Sequence, residues 1–239
     1  MKTFRLFGVT LCAALGLVMP SAAFAGPPFI TDDPEPTDLH KWEIYNYAGG
    51  RREGGVTSLD TGVDLNYGAA ANVQLTAVLP LHTETGVPLD VGDVQLAAKY
   101  KSIHQDSGFL PVDITFFPRV FLPTGRRSTR AQVLLPIWAQ RAAGKWQFFG
   151  GGGYMLNPGS GNRDYWVQGA VVLRQMRPGW QLGIEEYHQG PTAQGERPVT
   201  GVNLGTLIHI KGPISLIGSA GQGLNRHQSV FYAALKLDM

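Results

Sequence analysis

His227 and Ser229 stand two apart in the segment His227-Gln228-Ser229. On a strand that spacing turns both side chains to one face, near enough for an imidazole to activate a hydroxyl. The competing reading is a polar loop with an incidental histidine, since the pair falls where a loop ends. Glu185, Glu186 and His188 offer the groups of a metal or acid–base site. Adjacent strand residues face opposite sides, however, so the two glutamates cannot form a facing pair. Asp32, Asp33, Glu35 and Asp38 supply the oxygen ligands that calcium takes, but Pro34 and Pro36 break the spacing of a cation loop, which favours a solvated acidic segment. The run Gly150–Gly153 invites a phosphate cradle. A P-loop needs Lys-Ser/Thr after its glycines at the start of a helix, whereas Tyr154-Met155-Leu156 and then Asn157-Pro158-Gly159 follow here. A dinucleotide fingerprint needs a strand-to-helix switch, also missing. Glycine inside a strand instead marks bending or close approach of another part of the chain. The residue types therefore assign no catalytic group, no metal and no cofactor.

The elements that carry these residues read as strands. Leu59, Thr61, Val63, Leu65 and Tyr67 share one face, with Asp60, Gly62, Asp64 and Asn66 on the other. The same alternation recurs in twelve segments, about 42–48, 56–67, 73–82, 93–102, 111–122, 131–140, 146–155, 164–176, 180–187, 199–210, 214–221 and 229–239. Most are about ten residues long, enough for a tilted strand to cross a bilayer. Helices are excluded because apolar residues do not recur at three-four spacing and glycine interrupts almost every segment.

The gaps between segments alternate in length. Those at about 49–55, 83–92, 123–130, 156–163, 188–198 and 222–228 are mostly longer than those at 68–72, 103–110, 141–145, 177–179 and 211–213. Long loops at one end, short turns at the other and an even strand count are the habit of bacterial outer-membrane barrels. A soluble periplasmic β-sandwich has no reason to sort its loops in this way. The fold expected is an all-β, antiparallel transmembrane barrel of about 12 strands with both termini periplasmic. Arg51, Arg52, Arg126, Arg127, Arg130 and Arg163 fall in or beside the longer gaps, as do Arg197 and Arg226. Guanidinium forks match phosphates, so the first six are candidates for contact with lipopolysaccharide at the outer rim, against the alternative of ordinary solvated charge.

Composition fits an exported barrel. The stretch 1–25 has Lys2 and Arg5, an apolar run and Ala23-Phe24-Ala25, the pattern of a cleaved secretory signal. Lys2 and Arg5 are two of 20 basic residues, and without them the rest balance the 18 acids. That balance argues against nucleic acid as a partner. The lone Cys12 lies within the signal, so no disulfide is expected. No later apolar run reaches the 18 or so residues of a membrane helix. Glycine, at 31 of 239 residues, has nearly twice its usual share. The chain divides into a signal peptide at 1–25, a Pro-rich acidic segment at 26–41 and a barrel at 42–239.

Two blocks, Gly92-Asp93-Val94-Gln95-Leu96-Ala97-Ala98-Lys99-Tyr100 and, further on, Phe117–Gly125 (FPRVFLPTG), resemble the outer-membrane proteins grouped as the MetA-pathway of phenol degradation family. The opening at 26–43 (GPPFITDDPEPTDLHKWE), the block at 135–140 (LPIWAQ) and the run at 150–166 look like an uncharacterised bacterial subgroup of that kind. The blocks occur in order over nearly the whole mature chain. The resemblance implies an outer-membrane barrel that moves small, hydrophobic or aromatic solutes, and it supplies no catalytic residues. Barrels of this kind usually end on an aromatic residue read by the insertion machinery; Met239 stands there instead. The His-x-Ser pair resembles that of outer-membrane lipid A deacylases, but Val230 replaces their Asn.

The polar face supplies the remaining candidates. Asp60, Asp64, Asp93, Lys99, Lys101, Asp113, Arg119, Arg174, Glu185 and Lys236 fall opposite the larger apolar side chains. Inside a barrel they either fill the lumen as ion pairs or line a narrow path. The acidic segment at 26–41 is expected to fold back against lumen bases such as Arg119 or Arg174 as a partial plug. The function expected is passive passage of a small solute across the outer membrane. The alternatives are a lipid-modifying enzyme, a closed structural barrel or a soluble sandwich.

Overall fold

The computed structural model describes residues 28–239 other than Arg127. The signal-peptide reading, Gly26, Pro27 and Arg127 lie outside the described residues. The elements are all strands: β1 (Trp42–Glu53), β2 (Val56–Ala70), β3 (Val73–Glu84), β4 (Val87–Val91), β5 (Val94–Ile103), β6 (Asp113–Phe116), β7 (Arg119–Leu122), β8 (Gln132–Ala143), β9 (Trp146–Leu156), β10 (Tyr165–Arg177), β11 (Trp180–Gln189), β12 (Val199–Lys211), β13 (Ile214–Gly223) and β14 (Gln228–Asp238). Each pairs antiparallel with its neighbours, and β1 pairs with β14 from Glu43↔Asp238 to Glu53↔Gln228, which closes the sheet on itself. β4 and β5 both pair with β3 as one interrupted stave, and β6 and β7 fill one place between β5 and β8. The result is a closed barrel of 12 staves, so a sandwich is excluded. Closure pairs the staves on both sides, the condition for strands to lie in lipid; among the described residues only β4, toward the long-loop end, has a single strand partner, β3.

One end of the barrel carries the short turns at 71–72, 144–145, 178–179 and 212–213, together with the start of β1 and Met239. The connections at 123–131, 157–164, 190–198 and 224–227 are at the other end, while 104–112, as long as 123–131, departs from the expected sorting by lying at the short-turn end. Two expected long gaps at that end prove to be strand. Arg51, Arg52 and Glu53 pair with Ser58, Thr57 and Val56, so β1 and β2 run out to a two-residue turn. Its residues, Gly54 and Gly55, have φ of 56° and 84°, the left-handed pair that a tight hairpin requires. β3 and β4 likewise continue to the turn at 85–86.

Inside and outside are inverted relative to a water-soluble core. Leu75, Leu79, Leu96, Ile137, Ile184 and Leu204 are exposed on the outer face, while Lys99, Lys101, Asp113, Arg119, Glu185 and Asn203 are buried within. The lumen also holds small apolar clusters, among them Phe29, Phe149, Val171 and Leu173.

Candidate functional site

Residues 28–41 run inside the barrel. His40 and Leu39 pair with Gly68 at the short-turn end. Pro28, Pro34 and Pro36 hold this chain extended and keep it from joining the sheet, so it remains a strap in the lumen. It is attached to the wall residue by residue. The Thr37 N–H and hydroxyl both donate to Gln74 Oε1, at 2.8 and 3.0 Å. The Lys101 ammonium reaches both oxygens of Glu35, at 2.6 and 2.5 Å. Lys99 Nζ donates to the carbonyls of Asp33 and Glu35, each at 3.0 Å, and lies 3.5 Å from the Asp33 carboxylate. Thr115 donates to the Pro34 carbonyl at 2.7 Å, and Arg119 pairs with Asp32.

The tip then crosses to the opposite wall. Glu185, wholly buried, accepts the N–H groups of Ile30 at 3.1 Å and Thr31 at 2.6 Å, and the Asn203 amide at 2.6 Å. Phe29 lies over glycines: a Cβ on Gly205 would stand 2.6 Å from its ring, and one on Gly183 2.9 Å. Gly169 leaves the matching room for Thr31. Between strap and wall remains a cavity of about 350 Å³. Its lining includes the charged groups of Asp33, Asp64, Lys99 and Arg119 and the apolar side chains of Phe29, Phe117, Phe149 and Ile217.

The expected lumen residues are placed as follows. Asp60 is buried against His82 Nδ1 at 2.8 Å. Asp64 accepts from the Asn66 amide at 2.9 Å. Asp113 receives the Gln105 N–H at 2.9 Å and the Gln140 amide at 3.2 Å. Lys236 contacts Glu43 at 3.3 Å and Asp238 at 2.9 Å near the short-turn rim. Asp93 does not face the path: it accepts from the Gly125 N–H and the Ser128 hydroxyl, and so ties the loop 123–131 to the rim. Arg174 points outward, a correction to the expected lumen position. On β10 the inner places are Tyr165, Gly169, Val171 and Leu173, because Phe29 packs there, and Arg174 instead lies over the Trp146 ring at 5.0 Å. The strap meets Arg119, as expected, and not Arg174.

Among the arginines at the long-loop end, Arg52, Arg126, Arg130 and Arg163 are exposed. Arg126 pairs with Asp90 at 2.7 Å. Arg51 departs from expectation by turning inward. The extension of β1 puts it on the face of Tyr45 and Tyr47, and it lines the mouth with Glu53, Arg226 and Gln228. His227 and Ser229 are both exposed, while Gln228 takes the inner place, and no hydrogen bond among the described residues joins the pair. Glu186 is exposed on the face opposite Glu185. The glycine run is filled by its own wall: the Trp138 ring covers Gly151, and Pro136 crosses Gly153.

Sequence reasoning placed the acidic segment against a lumen base but missed its individual acids as site residues, although three of them meet three inward cations. It also missed Gly169, Gly183 and Gly205 as the seat of the tip. Small residues on one face of neighbouring strands were the available signal.

No family model matches the chain, and no curated protein does. Solved structures do. An outer membrane channel from Pseudomonas putida F1 superposes with a TM-score of 0.69 at 16% identity, over 87% of this chain and 98% of that one. The fold is that of an outer-membrane β-barrel. The NanC porin, at a TM-score of 0.60 and 9% identity, covers 81% of this chain and 98% of its own.

Proposed function

We propose that the chain is an outer-membrane channel narrowed by its own N-terminal strap, through which small solutes with an apolar or aromatic body pass passively. The observation that carries this reading is the cavity beside the strap. A structural barrel has no need of one, and its lining joins aromatic rings to charged groups in the manner of a selective solute site. The resemblance to the phenol-degradation family and the likeness to an outer membrane channel and to a porin support the same reading. In this reading the short turns and both termini are periplasmic, and the long-loop end, with Arg52, Arg126, Arg130 and Arg163, faces outward toward lipopolysaccharide. No reaction is assigned, since His227 and Ser229 do not face each other across a pocket.

The test is reconstitution of the folded protein in planar bilayers and in liposomes. Small, discrete conductance steps and entry of small aromatic solutes are expected. A membrane-inserted barrel that passes neither ions nor solutes would be the closed structural barrel instead.

A further inference from the structure

Three cations form a row through the lumen. Lys101 and Lys99 are successive inward positions of β5, and Arg119 of β7 pairs with Ala97, the next. The strap presents three acids in step with them: Glu35 to Lys101, Asp33 to Lys99 and Asp32 to Arg119. The match is not saturated at its upper end. Arg119 is buried, yet its Nε has no hydrogen-bond partner, so part of a guanidinium fork is unused. Arg119 and Lys99 both lie over the Phe117 ring, at 4.4 and 4.8 Å, and the cavity opens on this group. The Asp33 and Glu35 side chains are 38% and 55% exposed, so water reaches the carboxylates and a dissolved anion can exchange with them.

We propose that the cation row Arg119–Lys99–Lys101 is a recognition site for a small carboxylate with an aromatic or apolar body, and that the strap acids are surrogate ligands which this solute displaces. The ring lies among Phe117, Phe29 and Phe149. The carboxylate takes Lys99 first, replacing Asp33 because Asp33 is held less closely than Asp32, and then the unpartnered Nε of Arg119, which is buried while the strap is docked. The inference rests on the channel reading for its meaning, but the site can be tested without transport.

Calorimetric titration of the full, detergent-folded protein with sodium benzoate, and with benzyl alcohol as the neutral counterpart, tests it. Benzoate is expected to bind and the alcohol to bind at least tenfold more weakly. Asp33→Asn with Glu35→Gln removes the competing charges and is expected to raise benzoate affinity roughly five- to tenfold, the scale of two partly exposed ion pairs, with the alcohol unchanged. Adding Lys99→Met is expected to cancel the gain. Folding is checked by heat-modifiable gel migration. Should the double variant not fold, Asp33→Asn alone, at the pair displaced first, carries the same comparison. Equal benzoate affinity before and after acid removal, or an equal gain for the alcohol, overturns the proposal. Absence of conductance would overturn the channel reading and leave the titration unaffected.

Discussion

Replacing Glu185 by Gln separates docking of the strap from stability of the barrel. Three donors converge on the two carboxylate oxygens: the Ile30 and Thr31 N–H groups and the Asn203 amide. A glutamine has one acceptor oxygen and turns an NH₂ toward the other donors. Asn203 can adapt, because its own Oδ1 is buried without a partner and can accept from the new amide. The loss therefore falls on the strap, which gives up one charge-assisted hydrogen bond of about 1.5–3 kcal/mol. At about 1.4 kcal/mol per factor of ten, the undocked fraction rises roughly 10- to 150-fold. Cys12 is the only cysteine of the full sequence, so a Thr31→Cys background gives a single reporter within the strap. Thr31 is buried, and maleimide must wait for the strap to leave the wall, so its rate tracks the open fraction. Labelling should accelerate by that factor in Glu185→Gln while gel mobility of the folded barrel stays constant. A change of less than threefold would refute the assignment of Glu185 as the anchor of the tip.

Gly205→Val puts a branched side chain where Phe29 now lies, so conductance should rise as the tip is expelled, with the fold intact because valine suits a strand. Removing residues 28–39 should increase conductance severalfold; an unchanged value counts against the strap as the constriction. Gly151→Ala should lower the temperature at which the folded gel band is lost, since Gly151 has φ of 151° and its Cβ would meet Ile137 backbone and the Trp138 ring. Ser229→Ala should leave lipid A unchanged by mass spectrometry, and any loss of a modified species would revive the enzyme alternative.

The staves were legible because each carries its own period. The expected segments 146–155 and 214–221 correspond to Trp146–Leu156 and Ile214–Gly223. Legibility failed where the deciding contact is distant in sequence. Gly49 to Arg52 read as a loop, and their pairing with Ser229–Tyr232 of β14 makes them strand. Arg174 was assigned inward because β10 is apolar on both faces, and alternation alone cannot say which face meets the lumen. Phe29 decides it by packing on Leu173 and Val171. For the candidate site, the inward set on β5 to β7 could be read, but not what it holds: its strap contacts lie 64 to 87 residues away along the chain.

The strap and the two lumen walls are matched in chemistry. Phe29-Ile30-Thr31, which carries no charge, lies where β10, β11 and β12 are pared to Gly169, Gly183 and Gly205. Asp32 to Glu35, which carries three acids, lies where β5 to β7 present Lys99, Lys101 and Arg119. Exchanging the two halves would bury unpaired charge against glycine and Phe149, at a cost of several kcal/mol, and would take from three cations their strap acids. The strap therefore has one orientation, set by charge at its stem and by space at its tip. A solute that competes only for the cations loosens the stem while Glu185 still holds the tip. Widening of the path from the short-turn side follows from that order of release. It predicts that benzoate accelerates labelling of Thr37→Cys, buried in the docked strap beside the stem, before it affects Thr31→Cys.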